Sequence, residues 1–178
     1  MDERAPTGIH RHVELVRLAA PVLHALAGGD LAAANRAGTL DLTSYFVEPG
    51  MRSVWQRRSR QVRDDPGSAG WITRVIWDPV REVAVGHAGF HGPPDAKGMV
   101  EVGYSVDPRW RRQGYARAAL EALLDRAARE PGVRTVRASV RPDNTASRNL
   151  VLQYGFREVG EQWDEEDGLE TVYERDAG

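Results

Sequence analysis

Three arginines stand directly before a predicted helix, in the stretch RWRRQGYA at residues 109–116. The backbone amides in the first turn of a helix have no partner inside it, and together with the helix dipole they favour an anion. Gly114 and Ala116 leave the backbone open, so consecutive amides can converge on phosphate oxygens. Arg111 or Arg112 would add positive charge at the rim. The stretch therefore predicts a local anion site, although a tight turn with solvated arginines would explain the same residues.

Two familiar nucleotide motifs are missing. The sequence contains no G-x-x-x-x-G-K-[ST] segment, which excludes a P-loop. Gly86, Gly89 and Gly92 lie inside or at the end of a predicted strand, whereas a dinucleotide fingerprint requires glycines at a strand-to-helix turn. Packing or a bulge explains these three glycines better than nucleotide binding.

The composition limits the classes of partner. The chain has 178 residues, with 24 Lys and Arg against 26 Asp and Glu and a formal net charge of -2. This balance gives no global attraction to nucleic acid or to an anionic membrane, so we expect neither as a partner. The absence of cysteine excludes disulfides, thiolate metal ligands and a cysteinyl acyl-enzyme.

No segment of the sequence resembles a signal peptide or a transmembrane helix. The first residues, MDERAPTGIHRH, carry mixed charge, and the most apolar window, 18–26, is short and contains Pro21 and His24. We therefore expect a cytoplasmic protein.

The N-terminal part of the chain predicts one strand followed by helices. Apolar alternation indicates the strand, and Pro, Asp and Gly residues mark the helix ends. The predicted elements are a strand over Ile9–Leu18, a helix from Pro21 to Ala27, a second helix capped by Asp30 and ending at Ala37, a loop over 38–50, and an arginine-rich, solvated helix over Met51–Asp65.

From Trp71 onward, strands alternate with two helices. The predicted order is an antiparallel meander of WITRVIW, EVAVGHAGF and MVEVGYSV, a helix over Gly114–Glu130, the strand TVRASV, a helix within PDNTASRNLVLQY, and the strands FREVGEQW and LETVYER. The strand-helix-strand unit over 100–140 predicts a parallel pair. We therefore predict an α+β (mixed α/β) fold, with one mixed, mostly antiparallel central sheet and helices on both faces.

Two of these segments carry a resemblance to a known family. EVGYSVDPRWRRQGYA resembles motif A of the GNAT N-acetyltransferases, in which a strand runs into an R/Q-x-x-G-x-G/A turn, here residues 111–116. NTASRNLVLQYGF is similar to motif B of that family, and Asn144 with Ser147 is similar to its ribosomal-protein alanine acetyltransferase branch. The resemblance covers 71–175. We expect one domain over 1–178, with an N-terminal strand and helical hairpin over 9–65 and a cofactor-binding core over 71–175.

The resemblance implies acetyl-CoA as co-substrate. It implies that the pyrophosphate lies on Arg111, Arg112, Gln113, Gly114, Tyr115 and Ala116. The pantetheine arm would run along Tyr104, Ser105 and Val106 beside Asn144, with the Val106 amide donating to the acetyl carbonyl. Gly103 would mark the bulge at which two parallel strands separate to admit that arm.

Catalytic residues are less defined by the resemblance. It places the general base at Glu101, because an amine must lose a proton before it can attack. A pair with an arginine would explain this glutamate equally well, and a water relay would then remove the proton instead. Val151 occupies the position of the tyrosine that many members use as general acid. Ser147 is the acid that the ribosomal-protein branch suggests, and Tyr154 is a second candidate; a serine bonding its own helix would also explain Ser147.

Other polar and aromatic residues suggest few further sites. His10 with His12 and His87 with His91 lack a third ligand at metal-site spacing, so we expect no metal. Trp71, Trp77 and Tyr45 line either an acceptor pocket or the core. The acidic run 164–167 is either a solvated turn or a receptor for a cationic amine.

The resemblance and the residues together predict an N-acetyltransferase. Without cysteine, the acetyl group would pass directly from acetyl-CoA to a primary amine of a protein N-terminus or a small molecule. A non-catalytic acyl-CoA sensor or scaffold, and an enzyme using another acyl-CoA, stay open as alternatives. We expect a monomer or a homodimer.

Overall fold

Seven strands form a single sheet in the computed structural model, which describes residues 11–178. Their order across the sheet is β1-β2-β3-β4-β5-β7-β6. Only β4 and β5 pair in parallel; the other neighbours in this order are antiparallel. The strands are β1 Glu14–Val16, β2 Arg74–Asp78, β3 Val83–Phe90, β4 Met99–Val106, β5 Thr135–Val140, β6 Arg157–Asp164 and β7 Gly168–Asp176. The predicted mixed, mostly antiparallel sheet is confirmed.

Five α-helices accompany the sheet within the described part of the chain: α1 Ala20–Gly28, α2 Leu31–Ala37, α3 Pro49–Asp64, α4 Tyr115–Arg129 and α5 Thr145–Gln153. Capping side chains begin two of them. Asp30 accepts from the Ala33 amide at 2.8 Å, and Asn144 accepts from the Ser147 amide at 3.1 Å. Short 3-10 helices lie at Ser44–Val47, Pro66–Gly70 and Pro108–Trp110.

The helices cover both faces of the sheet, as predicted. Val75 and Ile76 are neighbours in β2 and point to opposite faces. Val75 packs in the apolar cluster beneath α1 and α3, whereas Ile76 packs in the cluster beneath α4. Since one sheet supplies both clusters, the fold favours the single domain over 1–178, which stays a prediction.

Three details of the N-terminal part differ from the expectation. The predicted strand over Ile9–Leu18 is confirmed only at Glu14–Val16, and Ile9 and His10 lie outside the described residues. Helix α3 begins at Pro49, because proline fits the first turn of a helix. The expected solvation of α3 is wrong on one face: Trp55 is fully buried and its Nε1 donates to the Phe46 carbonyl at 2.9 Å.

Strands β4 and β5 separate partway along their length. Their parallel pairing runs from Met99 opposite Thr135 to Val102 opposite Ala138 and then stops, although both strands continue. Gly103 lies at the point of separation. Its pairing with β3 shows no register shift, so the strands part by divergence and not through the bulge expected at Gly103. The gap between them is the feature around which the site is built.

Candidate functional site

A cavity of about 700 Å³ extends through the gap between β4 and β5. On the α3 side it is lined by Glu101, Ser105 and Ser139, and on the α5 side by Tyr104 and Ser147. The β6–β7 hairpin and α3 supply the remaining walls. Groups bound from opposite faces of the sheet can therefore meet inside this opening.

The start of α4 presents free backbone amides. Gly114 is the residue before the helix and has φ +88°, a left-handed conformation that glycine adopts at little cost. The first hydrogen bond of the helix runs from the Ala118 amide to the Gly114 carbonyl at 3.0 Å. Among residues 11–178, no acceptor contacts the amides of Gly114, Tyr115 or Ala116. Free amides at a helix start can bind an anion, and the anion site over residues 111–116 stays a prediction.

The side chains of this turn have different roles. The Arg111 Nε donates to the Val106 carbonyl at 3.0 Å, which ties the turn to the end of β4. Arg112 is exposed, has φ +59°, and is the side chain most accessible to an anion. Gln113 Nε2 donates to the Arg109 carbonyl at 3.3 Å.

Tyr115 is buried and its hydroxyl donates to Asp78 at 2.7 Å, so only its amide can serve a ligand.

The Tyr115 hydroxyl and Arg81 stabilise the Asp78 carboxylate. Burial alone would raise the pKa of Asp78, but the hydrogen bonds from Tyr115 and Arg81 and from backbone amides outweigh it and lower this pKa to about 2. The contact between β2 and the start of α4 was not predicted, since no local spacing connects these residues.

The edge of β4 facing the gap is unpaired. In an antiparallel pair, alternate residues direct their amide and carbonyl groups to the same neighbour. The Asp107 amide donates to the Val85 carbonyl of β3 and the Glu101 carbonyl accepts from His91, so Val106 and Tyr104 direct theirs to the opposite side. That side is the gap, where pairing with β5 has ended. The Val106 amide can therefore donate to a ligand lying in the gap.

Ser105 points to the α3 side of the sheet. Its hydroxyl accepts a hydrogen bond from Tyr45 at 2.9 Å, which fixes the wall of the cavity at that point. Tyr45 itself is buried in the core and does not line the cavity, and neither Trp71 nor Trp77 lines it. The core interpretation of these three aromatics therefore agrees with the structure.

Ser147 and Tyr104 meet on the α5 side of the gap. Their hydroxyl oxygens lie 2.8 Å apart, and both residues line the cavity. Burial raises the pKa of the Tyr104 hydroxyl, while the bond to Ser147 lowers it. Asn144 uses its side-chain oxygen to cap α5 and lines the cavity as well. The structure thus brings Ser147, Tyr104 and Asn144 together.

Tyr154 lies elsewhere. Its hydroxyl donates to Glu121 and accepts from Arg117 Nη1 at 3.1 Å, between α4 and the end of α5. Tyr154 is absent from the cavity wall. Its role as general acid stays a prediction, and Ser147 is better placed for that role. Val151 is fully buried, and its alkyl side chain supplies no titratable group at this position.

Glu101 lies on the α3 side of the gap, in the cavity wall. Its Oε1 accepts from the Ser139 hydroxyl at 2.6 Å, and its Oε2 lies 3.8 Å from His91 Nδ1. An added Cβ at Gly103 would lie 2.7 Å from His91 Nε2, so the glycine leaves room for this imidazole. Glu101 is therefore held between two polar side chains at the opening between the strands.

His87 is a cavity residue that sequence reasoning did not select. It is buried beside Trp55, and burial lowers its pKa to about 4, which keeps the imidazole neutral. Neither ring nitrogen has a partner among the described residues. The spacing of His87 from His91, which follows the end of β3, is visible in the sequence, but the cavity beside the two residues is not.

The acidic run lines the cavity at its hairpin end. Glu166 forms an ion pair with Arg57 of α3 at 2.8 Å, which spans the cavity wall. Asp164 accepts the Glu166 and Asp167 amides, which lower its pKa. The acidic run 164–167 is thus not a purely solvated turn, and one of its carboxylates is already paired with an arginine.

Within residues 11–178, no group of three His, Asp or Glu side chains is arranged to hold a metal ion. In the same part of the chain, no helix is both long enough and apolar enough to cross a bilayer.

Comparison with known proteins gives a family and a fold. The family model described as "Acetyltransferase (GNAT) domain" matches residues 26–157, which is more than half of the chain. The curated protein "Uncharacterized N-acetyltransferase YjdG" of Bacillus subtilis is 31% identical over 90 residues, which cover 51% of this chain and 54% of that protein. The chain thus spans about half the length of this curated relative.

Solved structures match over a larger share of the chain. The ribosomal L7/L12 alpha-N-protein acetyltransferase RimL, in complex with coenzyme A, is 21% identical with a TM-score of 0.63, covering 94% of this chain and 96% of that one. A chimera of the spermidine N-acetyltransferase SpeG of Vibrio cholerae is 14% identical with a TM-score of 0.65, covering 93% and 95%. At these identities the two neighbours share a fold with this chain, and their acceptors differ from each other.

Proposed function

The chain belongs to the GNAT acetyltransferase family, and from this premise we propose that it transfers the acetyl group of acetyl-CoA directly to a primary amine of a small molecule or a protein N-terminus. The observation that carries the proposal is the separation of β4 from β5 beyond Val102 and Ala138. It leaves an unpaired strand edge between the free amides of α4 and a cavity that contains Glu101.

The diphosphate of the donor would lie on the start of α4. The amides of Gly114, Tyr115 and Ala116 supply hydrogen bonds, and Arg112 supplies charge. Because the Tyr115 side chain is bound to Asp78, these amides are held in place before the ligand arrives. Such preorganisation reduces the cost of binding.

The pantetheine arm would pair with the free edge of β4. The Tyr104 carbonyl and the Val106 amide would bond the amide groups of the pantetheine arm, as they would bond a neighbouring strand, and Asn144 lies beside them. The Val106 amide then donates to the acetyl carbonyl, where negative charge develops during attack. Arg111 binds the Val106 carbonyl, and the next amide, that of Asp107, donates to the Val85 carbonyl. Both polar groups of this peptide are therefore held, which fixes the end of β4.

The amine would enter from the α3 side of the gap. Glu101 accepts one proton from the ammonium, and the neutral nitrogen attacks the thioester carbonyl carbon. The carbon–sulfur bond breaks, and Ser147, hydrogen-bonded to Tyr104, donates a proton to the departing thiolate. The second proton, which the nitrogen loses as the amide forms, restores the Ser147 hydroxyl, and Glu101 releases its own proton to solvent. The products are an N-acetylated amine and free coenzyme A. Much of the rate would come from holding both reactants together in the gap.

A thiol-release assay tests the function. Purified protein with acetyl-CoA is offered a panel of small amines, amino acids and peptides with free N-termini, with succinyl-CoA and propionyl-CoA as alternative donors. We expect thiol release with acetyl-CoA and at least one acceptor class. Binding of coenzyme A without thiol release from any pair would contradict an enzyme and favour the acyl-CoA sensor.

A further inference from the structure

A series of hydrogen bonds joins the partly buried Glu101 to a buried carboxylate, that of Glu170. The Ser139 hydroxyl donates to Glu101 Oε1 at 2.6 Å. Gln162 Nε2 donates to Ser139 Oγ at 3.0 Å and to Glu170 Oε2 at 2.9 Å. The four residues belong to four strands, β4, β5, β6 and β7, and all of them line the cavity.

The donor and acceptor of each hydrogen bond in this series follow from Glu170, the residue at its end. Glu170 is 9% exposed and burial raises its pKa, whereas the bond donated by Gln162 lowers it and stabilises the ionised form. Because an ionised carboxylate only accepts hydrogen bonds, Gln162 turns its NH₂ group towards Glu170. Both amide hydrogens are then used, one on Glu170 and one on Ser139. Because Ser139 Oγ accepts from Gln162, its single hydroxyl hydrogen is directed to Glu101 Oε1.

We propose that Ser139 and Gln162 are positioning residues that Glu170 anchors. Together they keep the Ser139 hydroxyl on Glu101 Oε1, so that Oε2 is the oxygen that takes the proton of the acceptor amine. The inference rests on the proposed role of Glu101 as general base. The free Oε2 is the oxygen nearest His91, at 3.8 Å from Nδ1. The proton moves from the ammonium to Oε2, and no other reactant is needed.

The positioning has a measurable consequence for Glu101. The Ser139 hydroxyl holds Glu101 Oε1, so losing this donor frees the carboxylate to rotate and removes the distinction between its two oxygens. The other charged and titratable groups that face this cluster are Arg58 on α3, His91 after β3, Arg137 on β5, Asp164 on β6 and Glu170 on β7. Of these, Glu170 bonds Gln162 directly, so Gln162→Leu also removes a donor that lowers the Glu170 pKa, whereas Ser139→Ala leaves that bond in place.

The decisive experiment follows the Glu101 side-chain carboxyl carbon by NMR at one neutral pH, because its resonance responds to the hydrogen bonds of the carboxylate and the measurement needs no acceptor. Ser139→Ala is expected to shift this resonance, and Gln162→Leu to shift it less, since the hydroxyl stays but loses its orientation. Ser139→Thr keeps the donor on a residue suited to a strand and should leave the resonance near its wild-type position. Glu161→Leu, one residue earlier on β6 and exposed, is the control and should change nothing.

The same variants are then compared in turnover. Ser139→Ala and Gln162→Leu should lower kcat about tenfold with KM for acetyl-CoA unchanged, and Ser139→Thr should keep a kcat near wild type. A Glu101 carboxyl resonance that stays at the wild-type position in both Ser139→Ala and Gln162→Leu overturns the inference. Normal turnover in Glu101→Gln would instead remove Glu101 from the proposed mechanism and the positioning role with it, while coenzyme A binding and thiol release would still support the acetyltransferase.

Discussion

Replacing Gly114 by valine tests the anion site at the start of α4. Gly114 has φ +88°, where a β-branched residue costs about 1–2 kcal/mol of stability. Relaxing that strain turns the following amides of Tyr115 and Ala116 away from a bound diphosphate. A hydrogen bond to a charged group contributes about 1.5–3 kcal/mol, so losing two costs about 3–6 kcal/mol. The affinity for coenzyme A should therefore fall about 100-fold to 20,000-fold.

The assay is isothermal titration with coenzyme A, accompanied by circular dichroism and thermal unfolding. Gly155→Val is the matched control, because Gly155 has φ +78° and an added Cβ would meet no atom within 4 Å. It should therefore lose a similar stability through backbone strain and keep the wild-type affinity. Unchanged affinity in Gly114→Val, or an equal loss in Gly155→Val, would refute the assignment of the diphosphate to these amides.

Three more predictions concern catalysis and stability. Glu101→Gln should lower kcat/KM about 100-fold near pH 6.5 and less at pH 9, where more amine is already neutral; a constant ratio to wild type across this pH range would exclude Glu101 as the base. Ser147→Ala should lower kcat about tenfold while the Kd for coenzyme A stays within threefold, and equal kcat values would exclude it as proton donor. Asp78→Asn should cost about 2.5 kcal/mol in urea unfolding at pH 7, since the folded pKa of Asp78 is about 2 against about 3.9 in the unfolded chain. That contribution is present above about pH 4 and is lost as pH falls towards 2, so the two unfolding curves should converge over this interval, and a constant difference would contradict it.

The fold was largely predictable from the sequence because its signals are local. Alternation of apolar residues marked β2 to β7, and capping residues such as Asp30 and Asn144 marked helix starts. The position of α3 was less predictable. Its arginines suggest solvent, but Trp55 and Arg58 face the core, and burial depends on which surface the rest of the chain presents to the helix.

The donor half of the proposed site was also visible in the sequence. Residues 111–116 are consecutive, so their conformation and the free amides follow from one short segment. The acceptor half was visible only in part. Glu101 was selected because of its place before the turn, whereas Ser139, Gln162 and Glu170 come from three other strands and carry no motif.

By itself, the sequence determined the turn at Gly114, the helix behind it and the family to which the two motifs belong. These features depend on backbone conformation and hydrogen bonds between residues close in the chain. Only the tertiary structure decided that β4 and β5 separate beyond Val102, and that Glu101 meets Ser139 in the resulting cavity. Strand pairing brings together residues that are distant in the chain, and the contacts of their side chains depend on register and divergence, which no local pattern encodes.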